Sequence, residues 1–412
     1  MRNGLLRRIA ATVVAAGLVF INCTAAMAAE SLTDGKVGSN AGTALEKTIT
    51  ITKDLVAYNP EDLAVAAPEI SYTYTLTAGT ADKQVKDNTT PIPATAFTKA
   101  GVLPTTTTAT VTWANTEDLT TAIAGASNEK TFSFDFSTAN YTAAGIYRYV
   151  ITETTTPATK AAAGVTDGGQ VKYLDVYVKE PGAGESGFQI YGYVMFGADN
   201  DIDGTDASSV TAAAKTSKFV DQYYTYNLTV SKTLVNDTAM ATNQFPFKVD
   251  FTNDAVTGNV LLKQNPSGTC TANPLAAGAM SGLDITEENL KIAGGASVKY
   301  IGIPAGTSAA VYEINNVTGT TYTSVYSIDG GAADGSKNIT WDSAGDANKS
   351  NVASITTTAN AAENAHTIAY TNTLTLISPT GLAFRYAPYA LLIFAAVLLM
   401  MVMNRRREDA KA

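Results

Sequence analysis

Two sets of ionisable residues occupy the apolar phase of strand-like segments, where a charge is least at home. Successive strand residues point to opposite faces. In KTITITKDLV, Ile49, Ile51, Lys53 and Leu55 therefore share one face, against Thr48, Thr50, Thr52 and Asp54. In FVDQYYTYNLTVSKTL, Asp221 is in phase with Phe219 and Tyr223, and Lys232 with Leu228, Val230 and Leu234. In HTIAYTNTL, Asn372 is in phase with Ile368, Tyr370 and Leu374. Each half of the chain thus opens on an inward lysine and closes on an inward Asp or Asn. A glutamate sits late in each half. Glu153 shares its face with Tyr147, Tyr149 and Ile151, whereas Tyr312 and Ile314 compete with Glu313 for the inner face of AAVYEIN.

An unpaired charge in a core is costly, so each of these residues needs a partner. A lysine, an Asp or Asn and a Glu buried together have a definite chemistry. Desolvation pushes the lysine towards the neutral amine and the glutamate towards the neutral acid. The amine is a nucleophile, and the acid donates to the Asp or Asn carbonyl and moves protons as the adduct collapses. Fixed contact supplies the effective concentration. The product is a side-chain amide, formed once, with loss of water from Asp or ammonia from Asn. The alternative is a buried ion pair without chemistry.

The elements that would position these residues are strands. Thr, Ala, Val and Tyr are abundant, and short alternating runs recur between Gly, Asn and Asp turns, which predicts an all-β fold of tandem sandwiches. At 412 residues and 45% hydrophobic content the chain can bury two or three cores. A first domain is predicted over 46–223, with strands Lys47–Val56, Ile70–Thr77, Thr131–Phe136, Gly145–Thr154, Val171–Lys179, Phe188–Phe196 and Lys218–Tyr223. Its stretch Ala78–Asn128 is expected to be a long surface excursion. A second domain is predicted over 224–376, with strands Thr225–Leu234, Phe245–Thr252, Ser297–Ile303, Ala309–Asn315, Tyr322–Ile328, Val352–Thr358 and His366–Leu374, and a short helix over Leu283–Leu290. Lys218–Tyr223 and Thr225–Leu234 are expected as two strands in tandem, the last of one domain and the first of the next.

The two ends indicate an address. Residues 1–28 have Arg2, Arg7 and Arg8, an apolar Ile9–Ile21 and Ala26-Met27-Ala28 before a cut, the pattern of a secretory signal. The context of Cys23 suits lipid attachment poorly. Residues 29–45 read as a flexible leader. Residues 377–412 contain Ile377-Ser378-Pro379-Thr380-Gly381, an apolar run over 387–403 that is barely long enough to span a bilayer, and Arg405, Arg406 and Arg407. One reading is a permanent tail anchor. The pentapeptide, however, resembles the LPxTG motif cut by sortases of Gram-positive bacteria, with Ile377 for Leu and Ser378 for Pro. That resemblance implies cleavage between Thr380 and Gly381 and transfer of Thr380 to an amine.

Other chemistry finds little support. A net charge of −9 disfavours a nucleic-acid partner. His366 is the only histidine, so a His-based triad or an ordinary zinc site lacks partners. Cys270 has no neighbouring histidine to activate it, and without Cys23 no internal disulfide is possible. Asp199-Asn200-Asp201-Ile202-Asp203-Gly204 matches the opening of a calcium loop, but Val210 stands where the closing Glu is needed, and an acidic turn is the preferred reading. No cofactor or metal is predicted, and no catalytic turnover.

The chain resembles the streptococcal pilin isopeptide-linkage family in LTVSKTL with its following FPF segment, in YRYVITE and AAVYE, and in the closing strands FVDQY and YTNTL. The resemblance implies tandem immunoglobulin-like (CnaB-like) β-sandwiches, each closed by an autocatalytic bond. By position, it implies Lys53–Asp221 with Glu153 assisting, and Lys232–Asn372 with Glu313 assisting. It implies a pilus shaft subunit polymerised by sortase. The alternative is an adhesin or spacer anchored singly to peptidoglycan. Polymerisation requires an exposed acceptor lysine, and no clear YPKN-type motif is present. Lys215 and Lys218, near the domain junction, are the candidates for receiving Thr380 of a neighbouring subunit.

Overall fold

The computed structural model describes residues 47–374, apart from 82–83, 88–89, 92–97, 182–183, 185, 199–200, 203–215, 238–241, 315–320 and 341–348, together with 379–409. The chain is mostly β, arranged as two sandwiches that share one strand. In the first, the opening strand Thr48–Tyr58 runs parallel to the near end of Lys218–Val235 and antiparallel to Glu129–Asp135. The facing sheet has the order Gln189–Phe196, Val171–Lys179, Gly145–Glu153, Ile70–Ala78, Thr108–Trp113. In the second, the far end of Lys218–Val235 lies between Ser297–Pro304 and the closing strand His366–Leu374. Its facing sheet has the order Cys270–Ala272, Leu290–Ala293, Gln244–Thr252, Ser308–Ile314, Lys349–Ile355.

The two tandem strands expected at the junction are one continuous strand of 18 residues, Lys218–Val235. Its alternation explains why the sequence looked divided. Phe219, Asp221 and Tyr223 are buried at odd positions, and Tyr226, Leu228, Val230 and Lys232 at even ones. Odd and even side chains leave a strand on opposite faces, so one face serves the first core and the other the second. The register step falls on the neighbouring strand, where Tyr226 pairs with Ile303 and Asn227 with Ile301, skipping Gly302. Gly302 has φ +86, and a Cβ there would come within 3.0 Å of Val65 in the first sandwich. Glycine is required at this bulge by both conformation and close approach.

Two further expectations are corrected. Leu283–Leu290 is not a helix. Leu283 and Ile285 are buried, and Ile285 exchanges two backbone hydrogen bonds with Val249, at 2.9 and 2.8 Å. Those groups are therefore not free for helical bonding. The stretch 78–128 is only partly an excursion, because Thr108–Trp113 pairs with the Ile70–Thr75 end of its neighbour and buries Trp113 edge-on to Tyr72. Its sequence, TATVTW, alternates threonine with Ala109, Val111 and Trp113, and β-branched threonine suits a pleated surface.

At the C-terminal end, Pro379–Asp409 is a helix of 31 residues. Within it, Pro388–Arg407 has a mean hydropathy of 1.7 and is fully unburied, long and apolar enough to cross a membrane.

Candidate functional site

Each sandwich holds one lysine-centred site between its two sheets. In the first, Lys53 comes from the opening strand, Asp221 from the parallel strand beside it, and Glu153 from the end of Gly145–Glu153 in the facing sheet. All three are buried. Lys53 Nζ donates to Asp221 Oδ2 at 2.7 Å and to Glu153 Oε2 at 2.9 Å, and lies 4.1 Å from the ring centroid of Tyr72. Tyr74 OH also donates to Glu153 Oε2, at 2.9 Å.

In the second site, Lys232 lies on the shared strand, Asn372 on the parallel closing strand, and Glu313 on Ser308–Ile314 in the facing sheet. Lys232 Nζ donates to Glu313 Oε1 at 2.6 Å, and Asn372 Nδ2 donates to the same oxygen at 2.7 Å. Ser324 Oγ donates to Glu313 Oε2 at 2.9 Å. Asn372 Oδ1 is buried without a hydrogen bond. Burial pushes the Lys232 amine down to about 8, even though Glu313 pulls it the other way. The neutral amine is thus within reach at ordinary pH.

The two sites have the same frame. In the first pair of parallel strands Leu55 is opposite Asp221, so Lys53 precedes the aspartate's partner by two residues. In the second pair Leu234 is opposite Asn372, so Lys232 stands in the same relation. A two-residue step keeps both side chains on one face of the sheet. The glutamates match as well: Glu153 is paired with Tyr74 and Glu313 with Phe247, each on the sheet across the core. The phase conflict at Glu313 has a physical cause. The register shifts between Tyr312 and Ile314, which lets Glu313 and Ile314 both be buried while Tyr312 stays partly exposed.

Several residues of the first site were not anticipated from sequence. Lys160, on the short helix Pro157–Ala162, is fully buried. It contacts Glu153 Oε1, lies 2.5 Å from Asp167 Oδ1 and 3.0 Å from Asp221 Oδ2, and donates to Asp221 Oδ1 at 3.3 Å. Burial works against its charge, but its bonds to Asp167 and Glu153 and the charge of Asp221 outweigh that and hold its pKa above the ordinary lysine value. The backbone N–H of Gly168 donates to Asp221 Oδ1 at 2.8 Å. The signal was in TTTPATKAA: Thr156 caps the turn, Pro157 opens it, and a lysine among alanines follows. Carboxylate oxygens of Glu153, Asp167 and Asp221 lie within 4.8 Å of one another, with the two ammonium groups bonded among them.

The remaining candidates are placed as follows. Lys218 does point away from the core, but its Nζ is bonded to Asp54 Oδ2 at 2.6 Å and Glu129 Oε1 at 3.2 Å. Lys215 lies outside the described residues, as do Ile377 and Ser378, whereas Pro379, Thr380 and Gly381 begin the C-terminal helix. His366 Nδ1 bonds Asp329 at 2.8 Å, and burial pushes the Cys270 thiol up. Of the acidic run, Asp201–Ile202 pairs with Gln84–Val85, and the rest lies outside the described residues.

A family model described as a domain of unknown function (DUF7601) matches residues 226–374, which span the second sandwich. The chain is similar to the major pilin from Streptococcus pyogenes, at 20% identity and a TM-score of 0.40, over 79% of this chain and 98% of that one. It is also similar to a pilus-presented adhesin (Cpa), at 15% identity and a TM-score of 0.24, over 49% of this chain and 35% of that one. No curated protein matches the chain.

Proposed function

We propose that the protein is a structural cell-surface subunit, most consistent with a pilus shaft, whose two sandwiches each close by an autocatalytic amide: Lys53–Asp221 and Lys232–Asn372. The observation that carries this is the repeated frame, a lysine and an Asp or Asn two residues out of register on parallel neighbours, with a glutamate across the core. Glu153 and Glu313 carry protons as the adducts collapse, each in a single event. No repeated turnover is involved.

The shared strand gives the two bonds a common purpose. Asp221 and Lys232 are on the same strand, about 36 Å apart at a strand rise of about 3.3 Å per residue. Tension entering at the opening strand would cross to Asp221, run along the strand to Lys232, and leave through Asn372. That line avoids both cores, so neither sandwich extends under load. Such a device suits a fibre. Sortase would then join Thr380 to a lysine of the neighbouring subunit, either Lys215 or Lys218, giving an open head-to-tail assembly on a Gram-positive cell wall. Lys218 must first leave Asp54 and Glu129.

The test is the intact mass of residues 30–376 together with a blot of wall extracts. The expected mass is short by one water and one ammonia without any added enzyme, and the blot shows a high-mass ladder. An unshifted mass in folded protein rejects the bonds. A shifted mass with a single wall band keeps the bonds and replaces the shaft by a singly anchored adhesin.

A further inference from the structure

The two sites differ in where their protons finish. In the second, an ammonium and a carboxamide condense: the C–N bond forms, Nδ2 leaves as ammonia, and one proton is left on Glu313. In the first, an ammonium and a carboxylate condense: the C–N bond forms, and Oδ2 leaves as water carrying both protons lost by Lys53. Glu153 therefore ends as a carboxylate in a sealed core, beside a lysine that has just lost its charge. A buried carboxylate without a counter-ion is strongly disfavoured. A carboxylate is also a poorer electrophile than an amide, since attack adds negative charge to a group that already carries it.

Resting on the proposed Lys53–Asp221 bond, we infer that Lys160 is a second catalytic lysine of the first site, present because the electrophile there is Asp rather than Asn. Its ammonium straddles the Asp221 carboxylate, 3.3 Å from Oδ1, the oxygen that becomes the amide carbonyl and also accepts from the Gly168 N–H, and 3.0 Å from Oδ2, the oxygen that Lys53 faces and that leaves. It contacts Glu153 directly and, among the described residues, is the ammonium left in an ion pair with that carboxylate once Lys53 is consumed. Donors fixed where negative charge develops are the strongest catalytic device available to such a site. Gly168 can take this place only as glycine, because a Cβ would fall 1.8 Å from the carbonyl oxygen of Val220. The second site has no equivalent lysine among the described residues, and its Asn372 Oδ1 accepts no hydrogen bond.

The experiment is peptide mapping of the full chain carrying Lys160→Met, alone and with Asp221→Asn, with far-UV circular dichroism and the Lys232–Asn372 peptide as controls for folding. The single variant should lose the Lys53–Asp221 peptide while keeping the second bond. The double variant, which leaves Lys53 with an asparagine and Glu153 as in the second site and Asp167 at the margin, should recover a Lys53–residue 221 amide with loss of ammonia. A normal water loss in the single variant would overturn the inference, as would a folded double variant without the bond, or, in the unsubstituted chain, an Asp221 amide mapped to Lys160 instead of Lys53. If Lys160→Met does not fold, the double variant still decides, because it removes the Asp221 charge that Lys160 would have faced. Absence of the first bond from the unsubstituted chain would instead reject the underlying reading.

Discussion

The two sandwiches set a lysine, a glutamate and an Asp or Asn in the same frame and surround them differently. Among the described residues, the first brings three carboxylates together with Lys53 and Lys160, and the second brings Glu313 together with Lys232 and the neutral amide of Asn372. The difference teaches that register and electrostatics are separate requirements. Parallel pairing with a two-residue step brings the amine beside an Asp in one site and an Asn in the other. In the proposed chemistry an Asp calls for further cations and donors, and the helix Pro157–Ala162 with the turn through Gly168 places such groups there. The same proposal leaves the second glutamate neutral, so that site would need no such addition.

The largest expected effect comes from removing the proton carrier. Glu153→Gln and Glu313→Gln should each abolish only their own mass shift. For Lys53 and Asp221, separated by 168 residues, losing the tie costs about 5 kcal/mol in the chain-entropy model, and the second loop is nearly as long. Glu313→Gln should be the more harmful. Among described carboxylates Lys232 is paired with Glu313 alone, whereas Lys53 keeps Asp221. Stranding a buried charge adds about 3–5 kcal/mol. Together these correspond to a fall in Tm on the order of 20 °C for a domain of this size. Calorimetry on both variants checks it, and equal falls would contradict the difference in pairing.

The site residues were legible because burial of a charge breaks an alternation: Lys53, Asp221, Lys232 and Asn372 were each visible as a polar residue in an apolar phase. Most strands were legible for the same reason. Glu313 was ambiguous because a bulge lets two adjacent residues be buried, and periodicity has no means of marking a bulge. Lys160 was hidden for a different reason. It lies on a turn of helix only six residues long, too short for any period, and its burial depends on Asp167 and Asp221 arriving from elsewhere. The continuity of Lys218–Val235 was concealed by its own regularity, since an unbroken strand between opposite cores looks like a change of phase.

A second way to sharpen the comparison is pH. In the second site the Lys232–Glu313 pair must hold one proton, which is the proton that Glu313 retains at the end. The lysine's folded pKa, about 8, is below its usual 10.5, so above about 8 the pair loses that proton to solvent. The rate of ammonia loss during refolding should be level just below pH 8 and fall about tenfold for each unit above it. The linkage sign is opposite for stability of the unbonded state. Between about 8 and 10.5 the unfolded chain holds more protons, so stability rises with pH across that window. Mass spectra taken during dilution refolding at set pH measure the rate. A rate that climbed through pH 8 would mean that Glu313 need not carry a proton.

The smallest effects should differ in sign. Tyr74 donates to Glu153 Oε2 and Ser324 to Glu313 Oε2, both at 2.9 Å. Such a donor favours the ionised carboxylate, and its loss is worth about 1 kcal/mol, or roughly fivefold in rate. Glu153 must end ionised, so Tyr74→Phe should slow the first bond by about that factor. The ring itself should stay in place, since it stacks on Phe132 with centroids 3.9 Å apart. Glu313 must end protonated, so Ser324→Ala should leave the second bond as fast or faster. Time courses of water and ammonia loss in the two variants give both numbers from the same spectra. Slowing of both bonds to the same extent would mean that the two glutamates finish in the same protonation state, and the distinction between the Asp and Asn sites would fall with it.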